Sequence, residues 1–275
     1  MAGRQAWRPA ATGVRYMTIS SSDIEALREA KRLLEHPGLA ARLSNLVGSP
    51  IERSLAALPS SVSNAIHDVT RRTIEKGLGV ALKTMDTSQT GTPSNRWHKI
   101  AVGASGALGG AFGLTALAIE LPISTTIMLR SIADIARSQG EDLRDPAARL
   151  ECLQVLALGG RRADDDATDA GYFAARTAMA KALSAAAQHV SQKGVTAAGA
   201  PAMIKLVTDV ASRFSVTVSE KALVQAVPVV GALGGAAINT LFINHFQDMG
   251  RGHFTVRRLE RIYGTDEVRL AYESV

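Results

Sequence analysis

The sequence predicts an all-α protein, a single large helical bundle with two central helices rich in glycine and alanine. Hydrophobic residues recur at helical spacing along most of the chain, and the sequence has no pair of neighbouring strand-like segments. Two long runs, residues 100–119 and 222–247, contain no Asp, Glu, Lys or Arg. Hydrophobic residues make up 46% of the 275 positions and aromatic ones only 4%. We therefore expect a core of aliphatic side chains and close backbone contacts.

The first third of the chain predicts a tail followed by short and long helices. Residues 1–20 are expected to form a disordered N-terminal tail, and residues 21–275 one helical domain. Ser22 or Asp23 is the expected N-cap of the first helix, which should end at the His-Pro-Gly sequence of residues 36–38. Further helices are expected at about 39–47, from 50 to near 59, and at about 61–85.

Prolines and glycines mark the expected helix boundaries in the middle of the chain. The sequence Glu-Leu-Pro at 120–122 should interrupt the helical pattern, and Pro122 can begin a new helix that ends near Ser138. Asp145 and Pro146 are typical of a helix start, and the two glycines at 159–160 of a helix end. A further helix is expected to run through positions 172–183.

The last quarter contains one ambiguous segment. Residues 214–219 alternate as in a strand, but a strand here would have no partner, so we interpret them as a turn or a helix entry after a helix at about 202–213. Pro228 should begin or kink a helix. The Gly-Arg-Gly sequence at 250–252 should break that helix before a basic helix at about 253–263.

The two uncharged runs share a repeated sequence. Gly-Ala-Leu-Gly-Gly-Ala at 106–111 recurs at 231–236, and further identities keep the same offset. Glycines four residues apart lie on one helix face, where another helix can approach closely. The helix-packing residues predicted on this basis are Gly106, Gly109, Gly110, Gly113, Gly231, Gly234 and Gly235. Buried helices of a soluble bundle, a surface-bound or conditionally inserting pair, and stable membrane spans all remain open.

The usual catalytic and phosphate-binding motifs are absent from the sequence. The lone cysteine, Cys152, excludes a cysteine-based zinc cluster, fits a reducing compartment and is expected to be buried and inert. His245, Asp248 and His253 are the most metal-like group, but we predict neither a metal nor a cofactor. The weak catalytic candidates are Glu120, Glu220, Lys221, His245 and His253.

Positive charge is concentrated in the first third of the chain. Of a net charge of +6, residues 1–100 carry 14 Lys or Arg against 8 Asp or Glu, and the remaining residues nearly balance. A second basic cluster would suit phosphate head groups or an acidic partner: Arg251, Arg257, Arg258 and Arg261. We expect no nucleic-acid binding, because the basic residues are scattered and aromatic residues that could stack on bases are few.

Several segments taken together carry a resemblance to a known family. They are residues 121–126, 129–136, 140–143, 157–160, 171–173, 218–221, 225–228, 231–236, 245–247, 251–254 and 256–260. This set resembles the EcsC protein family of bacteria, over about residues 60–264. The resemblance implies a helical fold and an association with membranes, since the family is named after a companion gene of an ABC transporter. Some members carry peptidase or hydrolase labels, but no catalytic residues can be transferred to this chain.

The sequence favours a non-catalytic helical protein that associates with a membrane, a lipid or a membrane protein such as a transporter. The contacts would be made by the glycine-rich apolar helices and the basic surfaces. A hydrolase of peptidase type and a soluble scaffold for protein interactions are the alternatives. The N-terminus has no apolar stretch of signal-peptide length, so we expect a cytoplasmic protein, peripheral at the inner face of the cell membrane.

Overall fold

A computed structural model describes residues 19–35, 38–47, 51, 55–85, 113–160, 171–194, 200–226 and 228–275. Within these ranges the chain forms nine helices and no strands, which confirms the all-α prediction. The helices are α1 (Ser21–Glu35), α2 (Leu39–Val47), α3 (Ser60–Thr84), α4 (Gly113–Ser138), α5 (Pro146–Leu158), α6 (Gly171–Lys193), α7 (Pro201–Gln225), α8 (Pro228–Tyr263) and α9 (Thr265–Ser274).

Helix α5 lies at the centre of the bundle, where it contacts α3, α4, α6, α7 and α8. Every residue from 148 to 158 is buried. Its boundaries follow the prediction: Pro146 occupies the first turn, the Asp145 carboxylate accepts a hydrogen bond from the backbone N–H of Ala147 at 2.9 Å, and Gly159 ends the helix. A helix buried on all sides is mostly apolar all round rather than on one stripe, and the buried polar residues of α5 are Arg149, Glu151 and Gln154.

Helix α1 packs along α8. The structure of these two helices differs from the sequence-based expectations at two points. The N-cap of α1 is Ser20, whose hydroxyl accepts a hydrogen bond from the N–H of Asp23 at 3.2 Å, rather than Ser22 or Asp23. Helix α8 continues through residues 250–252 instead of breaking there. A Cβ at Gly252 would lie 2.6 Å from Leu34 Cγ of α1, so this glycine serves a close helix contact and does not end the helix.

Two other predicted interruptions are absent because tertiary packing overrides the local signal. Helix α4 begins at Gly113 and passes through Pro122, which leaves only the carbonyl one turn earlier without its usual N–H donor. Residues 214–219 lie inside α7. Their apparent alternation contains Phe214 and Val218, both fully buried and four residues apart, which is the spacing of one helix face.

Three long helices run in the same direction, which gives the bundle two distinct ends. Gln247 of α8 donates a hydrogen bond to the hydroxyl of Ser131 of α4 at 2.9 Å. Gly250, further along α8, lies beside Ile135, further along α4, so the two helices are parallel. Arg137 near the end of α4 likewise donates to the carbonyl of Met85, just past the end of α3, at 2.5 Å. The N-terminal turns of α3, α4 and α8 therefore lie toward one end, and their C-terminal turns toward the other.

Close packing through glycine occurs, but the clearest cases lie outside the predicted repeat. A Cβ at Gly160 would lie 2.0 Å from the carbonyl oxygen of Arg213, and one at Gly159 would lie 2.4 Å from a ring carbon of Phe246. At Gly235, by contrast, an added Cβ would meet no atom within 4 Å among the described residues.

The other glycines of the repeat do not test the packing prediction. Gly106, Gly109 and Gly110 lie outside the described residues. Gly113 begins α4, and Gly231 and Gly234 lie in the first turns of α8, where the surroundings of the residues are not described. Tight packing through this set stays a prediction. No helix within the described ranges combines the length and the apolar character that a membrane span requires.

Candidate functional site: an uncharged end and a buried ionic network

One end of the bundle is built from helix segments without charge. Residues 113–119 begin α4, residues 222–226 end α7 and residues 228–238 begin α8. None of these segments contains Asp, Glu, Lys or Arg, and we call them together the uncharged end. The side chain of Ile119 is 65% exposed there, and the alanines at 118, 226, 236 and 237 are also exposed. The described residues of these segments thus present an apolar surface without charge.

In the described part of the chain, one ion pair lies beneath the uncharged end and joins its three helices. Lys221 of α7 is fully buried, and its Nζ lies 2.6 Å from Oε1 of Glu120 of α4, whose side chain is 21% exposed. The amide of Gln225 donates to the other carboxylate oxygen at 3.3 Å, and the ring of Phe242 of α8 lies 4.5 Å from the ammonium. The structure therefore brings two of the weak catalytic candidates into direct contact.

The protonation of the Glu120–Lys221 pair follows from its burial and mutual attraction. Burial alone would raise the pKa of Glu120, but the charge and hydrogen bond of Lys221 outweigh it, and the pKa lies below its usual value. Burial lowers the pKa of Lys221, and the neighbouring carboxylate opposes that shift. The ammonium has one carboxylate and one aromatic ring as its partners in the described structure.

The opposite end contains a larger group of charges, here called the ionic network: Glu141, Glu151, His253, Arg257 and Arg261. Arg257 of α8 donates to Glu141 and to Glu151, each at 2.8 Å, and Arg261 also donates to Glu141. Glu141 lies just after α4, where Gly140 adopts a φ of 81° and the N–H of Glu141 returns to the carbonyl of Ala136. This turn directs the carboxylate toward α8.

His253 joins the ionic network to α6. Its ring is fully buried, with Nε2 3.1 Å from a carboxylate oxygen of Glu151 and Nδ1 2.9 Å from the hydroxyl of Tyr172. Burial lowers the pKa of His253, and Glu151 only partly offsets that shift, so the ring is neutral at pH 7. The assigned tautomer follows: Nε2–H donates to the Glu151 carboxylate, and Nδ1 accepts from Tyr172.

The carboxylates of the ionic network remain ionised. Burial opposes ionisation of Glu151, but the hydrogen bond of His253 and the charge of Arg257 hold its pKa below the ordinary value. The pKa of Glu141 is lowered in the same way, by Arg257 and Arg261 against the effect of burial. Each carboxylate therefore has more than one donor, and Arg257 is shared between both of them.

The predicted basic cluster is occupied by the protein's own acceptors. Arg257 and Arg261 belong to the ionic network. Arg258 donates to Asp23 of α1 and to the side-chain amide oxygen of Gln139, and Arg251 donates to Asp248. The contacts of Arg258 fix α8 against α1 and the turn after α4, whereas the pair of Arg251 and Asp248 lies within α8. Anion binding by this cluster stays a prediction.

The metal-like group of the sequence is divided among separate partners. Nε2–H of His245 donates to the carbonyl of Gly159 at 3.0 Å, Asp248 accepts from Arg42 at 2.9 Å, and His253 contacts Glu151. No group of three or more His, Cys, Asp or Glu in the described parts of the chain is placed to hold a metal ion. Glu220, the remaining catalytic candidate, is buried in α7.

Two residues of the central helix complete this region. Cys152 is buried, as expected, and burial raises the pKa of its thiol far above the ordinary range, which suppresses the reactive thiolate. Sequence reasoning did not select Glu151, although it stands between Leu150 and Cys152 in a mostly apolar helix. A charged residue at such a position requires a buried partner, and this signal could have identified it.

The fold and these contacts define an all-helical protein with one uncharged end and a buried ionic network near the other. The sequence profile of the EcsC protein family matches residues 21–259, so the chain belongs to that family. Uncharacterized protein YdbA of Bacillus subtilis (strain 168) is 26% identical over 210 residues, which cover 76% of this chain and 68% of that protein. No solved structure matches the chain.

Proposed function

We propose that this EcsC-family chain is a non-catalytic protein that associates with the inner face of the cell membrane through its uncharged end. The observation that carries the proposal is the exposed side chain of Ile119 on a charge-free helix segment, beside exposed alanines of α7 and α8. Transferring one isoleucine side chain from water into an apolar phase is worth about 1.5–3 kcal/mol. The surface is therefore suited to shallow contact with lipid.

The arrangement of charge supports contact at this end rather than elsewhere. Glu120 and Lys221 border the uncharged segments of α4 and α7 and neutralise each other beneath the surface, so that contact with lipid would not strand either charge. At the opposite end of the bundle the ionic network and its neighbours are concentrated.

The catalytic candidates support a structural role over a hydrolytic one. Lys221 and His253 are fully buried, and each is held by hydrogen bonds between helices. His245 is buried against the end of α5. A general base must reach the proton that it removes from a substrate, and these side chains instead link elements of the fold.

Vesicle flotation tests the proposal with a matched pair of variants. Ile119→Asp places a charge on the uncharged end, while Leu270→Asp changes an equally exposed residue of α9, 68% exposed in the native chain. We expect Ile119→Asp to reduce the bound fraction about tenfold or more, from the lost apolar transfer. Leu270→Asp should bind as the wild type does.

Three results would contradict the proposal. The wild-type chain could remain with the unbound fraction for neutral and anionic vesicles alike, which would reject lipid association. Equal loss of binding in both variants would mean that the uncharged end is not the contact surface. Unchanged binding in Ile119→Asp, with the variant folded by circular dichroism, would place the lipid contact elsewhere on the chain.

A further inference from the structure

A row of cations follows one face of α3. Arg72, Lys76 and Lys83 are separated by four and seven residues, which places them within about 40° of each other around the helix. All three are exposed. Gly79 lies between them on the same face, and an added Cβ there would meet no atom within 4 Å among the described residues. We call Arg72, Lys76 and Lys83 the α3 cationic row.

These three cations are not engaged by carboxylates in the described structure. Their neighbour Arg71 forms an ion pair with Glu75, but no such pair joins Arg72, Lys76 or Lys83 to another described residue. One carboxylate, Asp68, lies a turn before Arg72 on the same side of α3. The face therefore has an excess of positive charge.

The α3 cationic row differs from the basic cluster of α8 in whether its side chains already donate to acceptors of this chain. Arg251, Arg257, Arg258 and Arg261 all donate to acceptors of this chain, so an external anion would have to displace those bonds. Among the described residues, no carboxylate would have to be displaced from the α3 cationic row. It also accounts structurally for part of the positive excess that the sequence places in the first hundred residues.

We propose that the α3 cationic row binds the head groups of anionic lipids while the uncharged end contacts the apolar part of the membrane. This inference rests on the proposed function and assigns a lipid class to it. Helix α3 begins toward the uncharged end, and Arg72 is the member of the row nearest to it. Contact of the whole row with head groups therefore requires the membrane to follow the side of α3 as well as the end of the bundle. The row spans about 16 Å along the helix axis, at 1.5 Å per residue, which is enough for several head groups.

The composition of α3 favours lipid over nucleic acid as the anionic partner. No Phe, Tyr or Trp occurs between Ser60 and Thr84, so the row has no aromatic residue of its own helix on which bases could stack. Exposed lysine and arginine near an anionic membrane surface each strengthen binding about fivefold at moderate ionic strength. The row therefore predicts a preference for anionic over neutral vesicles.

Two double variants with the same change of charge provide the test. Lys76→Gln/Lys83→Gln removes two exposed lysines from the row, and Lys181→Gln/Lys193→Gln removes two exposed lysines from α6. Sedimentation with phosphatidylcholine vesicles, with and without phosphatidylglycerol, measures partition. The partition of the first variant onto anionic vesicles should fall about twentyfold, and its partition onto neutral vesicles should not change. The partition of the second variant should change by less than about twofold.

Asp68→Asn removes the carboxylate beside the row and should strengthen binding to anionic vesicles.

The outcomes separate this inference from the proposed function. If the wild type binds neutral and anionic vesicles equally, the row does not bind lipid, although membrane association survives. If both double variants lose equally, net charge and not the row is responsible. A labelled DNA duplex offered to the same proteins would overturn the lipid assignment if the α3 variant lost duplex binding and kept its anionic-vesicle binding.

Discussion

The two ends of the bundle both contain buried charge, but they distribute it differently. At the uncharged end one lysine depends on one carboxylate, with an amide and an aromatic ring as additional contacts. In the ionic network each carboxylate has several donors, and Arg257 and His253 each connect two elements. Loss of one member leaves bonds in the network, whereas the single pair has no replacement.

The difference has a physical consequence for how each end tolerates change. A buried charge is compensated only while its partner remains. Removing the partner leaves the desolvation of the remaining charge uncompensated and destabilises the folded state. The network spreads that cost over several bonds, which suits a part of the molecule that holds α5, α6, α8 and the turn after α4 together. A pair with one contact instead makes the uncharged end sensitive to the state of Glu120.

The largest effect is expected from breaking the single pair. Glu120→Leu leaves the Lys221 ammonium buried without a carboxylate and should lower the free energy of unfolding by about 3–5 kcal/mol. Glu120→Leu/Lys221→Met replaces both charges with apolar groups and should recover most of that loss. Urea denaturation followed by circular dichroism measures both. A double variant as unstable as the single one would show that packing, not the stranded charge, dominates.

The ionic network supplies the matched comparison for that variant. Glu141→Gln removes one acceptor, but Arg257 keeps its bond to Glu151 and Arg261 its bond to the carbonyl of Gln139. We expect a loss of about half that of Glu120→Leu or less, since only part of the hydrogen bonding to charged groups disappears. A loss equal to that of Glu120→Leu would remove the distinction between the two ends.

Acidification should reveal the neutral state of His253. Its folded pKa lies below the unfolded value of 6.5, so the unfolded chain takes up a proton first and stability falls as pH drops. From pH 7 to pH 5 this group should cost the native state up to about 2 kcal/mol. Above pH 5 the lowered pKa values of Glu141 and Glu151 contribute little change, because their stabilisation is lost only on further acidification.

Chemical denaturation at several pH values tests this assignment. His253→Gln should be less stable than the wild type at pH 7 but should lose less stability between pH 7 and pH 5. Proton uptake on unfolding, measured near pH 6, should be lower for the variant by up to about three quarters of a proton. Parallel pH profiles for the two proteins would mean that His253 has the same pKa in the native state as in the unfolded chain.

A smaller effect is expected at the edge of the ionic network. Tyr172→Phe removes the hydroxyl that donates to Nδ1 of His253 and leaves the aromatic packing on Phe173 and Tyr272 in place. Loss of one buried hydrogen bond should cost about 1 kcal/mol, measured by urea denaturation at pH 7. A loss above about 3 kcal/mol would indicate that the hydroxyl supports the whole network, and no change would mean that His253 uses another donor.

Local sequence signals predicted where helices occur better than they predicted breaks within helices. Asp145, Pro146 and Gly159 cap or end the helix through contacts with residues close to them in sequence, and the bounds of α5 follow from these contacts. Gly252 failed as a helix-end signal because its role is set by Leu34, which is far away in the chain but adjacent in space. A glycine that permits close approach and one that ends a helix look alike in sequence.

The candidate site shows the same limit more strongly. Lys221 and Glu120 could be selected singly, as polar residues beside uncharged runs, but their contact spans 101 positions. The pairing of Glu151 with His253 spans 102 positions. Such pairs depend on helix directions and rotations, which no local pattern contains. That the α3 cations have no carboxylate partner among the described residues likewise depends on the packing of distant helices and not on a local pattern.

The smallest effect is expected for Gly235→Ala, a substitution that tests whether the glycine repeat packs closely at the uncharged end. Because a Cβ at Gly235 meets no described atom within 4 Å, Gly235→Ala should raise the free energy of unfolding by up to about 1 kcal/mol through helix propensity. Gly79→Ala, at an equally open position of α3, calibrates that gain. A loss of stability at Gly235, with a gain at Gly79, would show that another part of the chain packs against Gly235, as the repeat predicts. Such packing would also reduce the apolar surface left for lipid.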